Sequence, residues 1–162
     1  MEMAATKPPQ LDVRDLTLDT FRTCIDLKVA PDQERFVASN LYSVAESAVR
    51  PDTWPLVVYS GDEMVGFVMV SREPETGRFW IMRLMVAAIH QGRGLGRATL
   101  DATVALIVQR HHCQAIYLGV DEDNRVAMHL YKDYGFQPTG EIEDGEVVLR
   151  LSIPQRVEER RF

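Results

Sequence analysis

The sequence is short of cysteine, of long apolar runs and of surplus positive charge, and each shortage removes a class of protein. Two cysteines in 162 residues, Cys24 and Cys113, cannot supply a disulfide framework. On the central helical stretch the longest apolar run is Val104 to Val108, against the roughly 20 residues that cross a bilayer. Lys and Arg number 18 against 24 Asp and Glu, a net charge of −6. Such a surface repels nucleic acid and anionic lipid and attracts small cations. Residues 1–10 are polar, carry Pro8-Pro9 and have no apolar segment behind them, so no secretory leader is expected. These features predict a cytoplasmic protein with reduced thiols. What is present, 46% apolar and 26% charged residues, is the composition of a globular chain. Its length suits one domain, 1–162, with residues 1–10 as a flexible tail.

Periodicity gives the order β-α-α-β-β-β-α-β-α-β-β. Leu11 to Arg14 is a short strand, and Thr17 to Leu27 a helix with Asp19 as its cap. Pro31-Asp32 opens a second helix that Pro51 stops, with Phe36, Val37, Leu41, Val44, Ala45 and Ala48 as its apolar stripe. Pro55 to Ser60 and Met64 to Ser71 form a hairpin around Gly61-Asp62, and Phe79 to Val86 adds a third strand. A helix over Ala98 to Arg110 leads to a strand at Ala115 to Val120. Asn124 to Tyr134 is a helix closed by Gly135. Phe136 to Thr139 and Val147 to Leu151 are strands joined through Asp144-Gly145. The fold class is α/β: a mixed, mostly antiparallel sheet with helices on both faces.

One segment carries chemistry. Gln91-Gly92-Arg93-Gly94-Leu95-Gly96-Arg97-Ala98 lies between a strand and a helix. Its glycines let the backbone approach a ligand closely, and free amides at a helix start suit phosphate oxygens. Arg93 and Arg97 add positive charge. The dinucleotide and phosphate-loop fingerprints both need glycine at 97, where Arg97 stands. What is left is Q-x-x-G-x-G, which alone is also compatible with a ligand-free helix start.

That motif follows Leu84-Met85-Val86 and precedes Asn124, Ala127, Leu130-Tyr131 and Gly135-Phe136. In this order the blocks resemble the GCN5-related N-acetyltransferase (GNAT) superfamily over roughly residues 54–151. Asp32-Gln33, Phe36-Val37-Ala38, Asn40, Ser43, Ala45 and Glu46 extend a weaker resemblance to its bacterial diamine/spermidine N-acetyltransferase branch. So do Gly66-Phe67 and Gly140-Glu141 with Asp144-Gly145-Glu146.

The resemblance implies a sheet splayed in the middle and acetyl-CoA in the resulting cleft. Main-chain groups of Leu84, Met85 and Val86 would hold the pantetheine arm and the amides of Gln91 through Arg97 the pyrophosphate, with Asn124 bonding the arm. Tyr131 matches a tyrosine near the thioester sulfur, suited to protonate the departing thiolate, and an N–H near Leu84 or Met85 would steady the oxyanion. An amine acceptor must lose a proton before it attacks. Glu34, Glu46, Asp121 and Glu122 are open candidates to take it or to pair with an ammonium, Glu34 first. Glu34 and Glu46 are placed on the second helix.

The remaining polar clusters carry less. His111-His112-Cys113 sits at a helix end without a matching ligand pair, so no metal is expected. Trp54, Trp80 and Phe79 read as core or cleft-lining residues, and His129 as a surface residue. The reading is an acetyl-CoA-dependent enzyme acetylating a small cationic polyamine by direct attack in a ternary complex. Homodimer formation through exposed strand edges is part of it. The alternatives are another amine acceptor (an aminoglycoside, an amino acid or a protein amine) and a non-catalytic acyl-CoA-binding module.

Overall fold

The computed structural model describes residue 7 and residues 9–155; most of the tail read at 1–10 lies outside the described residues. Seven strands form one sheet in the order β1-β2-β3-β4-β5-β7-β6. They are β1 Asp12–Asp15, β2 Thr53–Ser60, β3 Glu63–Arg72, β4 Phe79–Val86, β5 Ala115–Val120, β6 Gln137–Glu143 and β7 Glu146–Ser152. β1 to β4 are antiparallel neighbours, β4 and β5 are parallel, and β5, β7 and β6 are antiparallel again. The helices are α1 Leu18–Asp26, α2 Asn40–Val49, α3 Leu95–His111 and α4 Arg125–Tyr134. This is the mixed α/β sheet that the periodicity predicts, and among the described residues no helix is long and apolar enough to cross a membrane.

Alternation along the strands sorts side chains to two faces. Leu56, Val58, Val68, Val70, Phe79, Ile81, Ile116, Leu118 and Leu149 meet Leu100 and Ile107 of α3 in the larger core. Val57, Phe67, Met69 and Met85 meet Cys24 of α1 in the smaller one. Both cysteines are buried and unpaired, and burial pushes the Cys24 thiol up to about 11, so it packs as a small apolar group.

Three local expectations are corrected. The first helix is capped by Thr17, not Asp19: the Thr17 N–H donates to the Thr20 hydroxyl at 3.0 Å. The second helix begins only at Asn40, where Ser39 Oγ accepts the Tyr42 N–H at 3.1 Å. Pro31–Gln33 is a separate 3-10 turn, held by Gln33 Oε1 accepting the Ala30 N–H at 3.1 Å. Finally, α2 faces the sheet with Asn40 and Ser43, while Leu41, Ala45 and Ala48 are exposed. A polar inner face is tolerated because its groups are satisfied. Asn40 Nδ2 donates to Cys24 O at 2.9 Å, and the Ser43 hydroxyl donates to Ser39 O at 3.1 Å.

The Asn40 bond ties α2 to α1 inside the smaller core, so Asn40→Ala should cost about 1–3 kcal/mol of stability. Urea denaturation measures this; an unchanged midpoint would show that the bond contributes nothing.

Candidate active site

β4 and β5 run together for two residue pairs only, Phe79 with Ile116 and Trp80 with Tyr117. Beyond these, β4 stays with β3 to Val86 and β5 with β7 to Val120. The facing edges of residues 81–86 and 118–120 are therefore left without a strand between them. β4 carries a local bend at the point of parting. Met69 pairs with Arg83 and Val70 with Ile81, which leaves Met82 as an extra residue, a bulge that turns the strand. Met82 packs into the smaller core, and Arg83 on the same side reaches Glu46 of α2, Nη2 to Oε2 at 3.0 Å.

The glycine turn stands at the open end of this split. Gly92 and Gly94 have φ of 80° and 73°, the left-handed region that glycine enters without a Cβ penalty. Gly94 is the N-cap of α3, and the first helical bond is donated by Ala98 to Gly94 O at 3.2 Å. Helix α3 thus starts three residues before the apolar pattern suggests. Among the described residues the amides of Gly92, Arg93, Gly94, Leu95, Gly96 and Arg97 meet no acceptor, whereas the Gln91 amide donates to Ala88 O at 3.3 Å. The free amides therefore begin at Gly92, not at Gln91. They and the positive end of α3 point to an anion.

Gln91 has a different task. Its Nε2 donates to Val86 O at 2.9 Å and to Gln33 Oε1 at 2.8 Å, and Gln33 Nε2 returns a bond to Gln91 Oε1 at 3.0 Å. This reciprocal amide pair clasps the turn to the end of β4 and to the segment before α2. Of the two arginines, Arg97 is held by Asp133 at 2.6 Å and lies over Tyr134, while Arg93 is exposed without a described partner.

Helix α4 borders the split from the β5 side. Asn124 caps it, Oδ1 accepting the Ala127 N–H at 3.3 Å, which leaves its Nδ2 available. Tyr131 is half-buried, edge-on to Phe136 with ring centroids 6.0 Å apart. Burial, with the charge of Glu146 adding to it, pushes its phenol up to about 12. The group is thus a proton donor throughout the neutral range.

The proposed carboxylates are scattered. Glu34 follows the 3-10 turn on an exposed loop, not on the second helix. Glu46 is on α2 but is shared between Arg83 and Arg50, the latter at 2.8 Å. Asp121 Oδ1 accepts the Asp123 N–H at 2.8 Å in the loop after β5, and Glu122 is exposed. Below the split, on the α1–α2 side of the sheet, lies a cavity of about 380 Å³. Trp80, Ile81, Met82 and Arg83 of β4 line it with Gly119 of β5 and the β6–β7 hairpin. A larger groove of about 480 Å³ lies away from the split, along β6 and β7. Arg83 and Glu146 are cavity residues that sequence reasoning missed as site candidates. Nothing in the local pattern marks Arg83, and Glu146 enters the sequence reading only within the Asp144-Gly145-Glu146 block, because the bulge and the hairpin register bring them to the cavity.

The GNAT acetyltransferase family model matches residues 12–136. Spermine/spermidine N(1)-acetyltransferase of Bacillus subtilis is 30% identical over 146 residues, 86% of this chain and 96% of that protein. Among solved structures, spermidine N-acetyltransferase from Vibrio cholerae in complex with CoA and spermine superposes with a TM-score of 0.69. It is 21% identical and covers 89% of this chain and 95% of that one. An aminoglycoside acetyltransferase in complex with coenzyme A reaches 0.74 at 18% identity, covering 88% and 95%. Because the family model runs from β1 through α4, the elements on both sides of the split, the chain belongs to the GNAT acetyltransferase family and is an N-acetyltransferase with acetyl-CoA as co-substrate.

Proposed function

We propose that the enzyme moves the acetyl group of acetyl-CoA to a primary amine of a small polyamine of the spermidine, spermine or diamine type. The observation that carries this reading is the charge of the cavity beneath the split. Glu73, Glu75, Glu143, Asp144 and Glu146 line it together with Arg50, Arg72 and Arg83. Arg50 and Arg83 share the single carboxylate of Glu46 outside the lining, which offsets one of their two positive charges. The surplus carboxylates favour a chain with several ammonium groups. The names of the relatives from Bacillus subtilis and Vibrio cholerae agree with such an acceptor.

In this proposal the amides of Gly92 to Arg97 hold the diphosphate, with Arg93 as the nearby free cation. The unpaired edge at Leu84, Met85 and Val86 takes the pantetheine arm, helped by Asn124 Nδ2. Val86 O is already engaged by Gln91, which limits that edge to the remaining groups. A main-chain N–H near Leu84 or Met85 faces the developing oxyanion, and Tyr131 gives its proton to the departing thiolate. Glu34 and Asp121 contribute negative charge toward the arriving amine, and Glu46 fixes the arginines. A cytoplasmic location and a homodimer complete the reading; the sheet edges β1 and β6 offer the unpaired backbone a dimer would use.

Thiol release from acetyl-CoA with a panel of amines tests the substrate. Turnover with spermidine-like amines well above that with aminoglycosides and amino acids is expected, and the reverse order would overturn the polyamine reading. Gly94→Val adds a side chain where a Cβ meets no protein atom within 4 Å but the φ is left-handed. It should cost about 1 kcal/mol of stability yet weaken CoA binding by calorimetry about tenfold or more. Tyr131→Phe should lower kcat on the order of 100-fold with little change in acetyl-CoA affinity. Equal losses in both would assign the hydroxyl to binding.

A further inference from the structure

The acceptor nitrogen arrives as an ammonium and must give up a proton before it attacks. β4 offers no carboxylate at the parting, since the bulge presents Met82 and Arg83 there. Glu46 is occupied by two arginines, Asp121 is folded back on its own loop, and Glu34 and Glu122 stand exposed. One carboxylate of the cavity is differently placed. Glu146 is the first residue of β7, half-buried, and makes no hydrogen bond or ion pair through its side chain among the described residues. Its carboxylate lies against Gly119 of β5, so close that a Cβ at 119 would collide with Oε2 and crowd the Glu146 Cβ at 3.3 Å. The missing side chain at 119 is what lets this carboxylate lie over the open edge of β5.

We propose that Glu146 is the base that takes the proton from the acceptor ammonium, directly or through one water, in the cavity between the β4 bulge and Gly119. The assignment rests on the reading that the amine enters this cavity. The proton passes from nitrogen to the Glu146 carboxylate and on to solvent. The neutral amine then forms a C–N bond to the thioester carbonyl carbon, and the C–S bond breaks with its electron pair on sulfur. Tyr131 protonates that sulfur, and the second nitrogen proton restores the Tyr131 phenol. One proton is released per acetyl group transferred.

The surroundings suit a base. Burial raises the Glu146 pKa from the usual carboxylate value, Arg83 of β4 lowers it, and Asp121 and Asp144 raise it. A more basic carboxylate is a better acceptor once ionised. The charge of Glu146 is also felt at Tyr131 on α4.

The test compares two acceptors of one shape: a primary alkylamine that the wild-type enzyme acetylates, and a fluorinated analogue already neutral at the assay pH. With Glu146→Gln, kcat/KM should fall about 100-fold for the alkylamine and by less than about threefold for the analogue, with CoA affinity by calorimetry unchanged. Gly119→Ala, which displaces the carboxylate without removing it, should give the same split in smaller measure. Equal losses for both amines, or no loss for either, would overturn the assignment. So would a wild-type enzyme that acetylates no amine. A wild type that prefers some other amine to spermidine bears on the polyamine reading alone, and the pair is then built on that amine.

Discussion

The site depends on two sheet halves that stay fully bonded on their outer sides while separating from each other. Backbone groups inside a sheet are ordinarily paired. Here β4 keeps its ladder with β3 and β5 keeps its ladder with β7, so only the edges between them go without partners after Trp80 and Tyr117. In the proposed reading a substrate arm with a strand-like backbone would bond to the groups of this edge that are still free, Val86 O being taken by Gln91. The bulge at Met82 and the glycine turn stand at opposite ends of the open edge.

Charge in this region is organised around a few shared partners. Glu46 bridges Arg83 and Arg50 and so holds α2 to the bulged strand, while the carboxylates of the β6–β7 hairpin line the cavity. Tyr131 and Glu146 each have a raised pKa for the same first reason, loss of water. The effect differs with the group: the phenol keeps its proton, and the carboxylate becomes more willing to take one.

Much of this architecture is legible in the sequence where a single local signal decides it. FWIMRLMV is bounded by a turn and by the glycine motif, and its limits as β4 coincide with the pattern. The amide-rich turn is likewise carried by its own residues. The edge strand β6 is longer than the reading at Phe136 to Thr139, because its exposed Gln137, Glu141 and Glu143 give no apolar alternation. The phase of α2 is hidden for a related reason: Asn40 and Ser43 are buried through hydrogen bonds that only the tertiary fold supplies. Glu146 is read from sequence only as part of the Asp144-Gly145-Glu146 block, because its place over Gly119 depends on the β5–β7 register.

The clasp between Gln33 and Gln91 has a bearing on how the enzyme meets changing conditions. Both partners are neutral amides that gain or lose no proton in water, and a bond between uncharged groups is little screened by salt. The glycine turn is therefore tied to the end of β4 by a contact indifferent to acidity and ionic strength, while the carboxylates of the cavity titrate. Geometry and protonation are kept on separate footings: one can vary with the medium while the other holds.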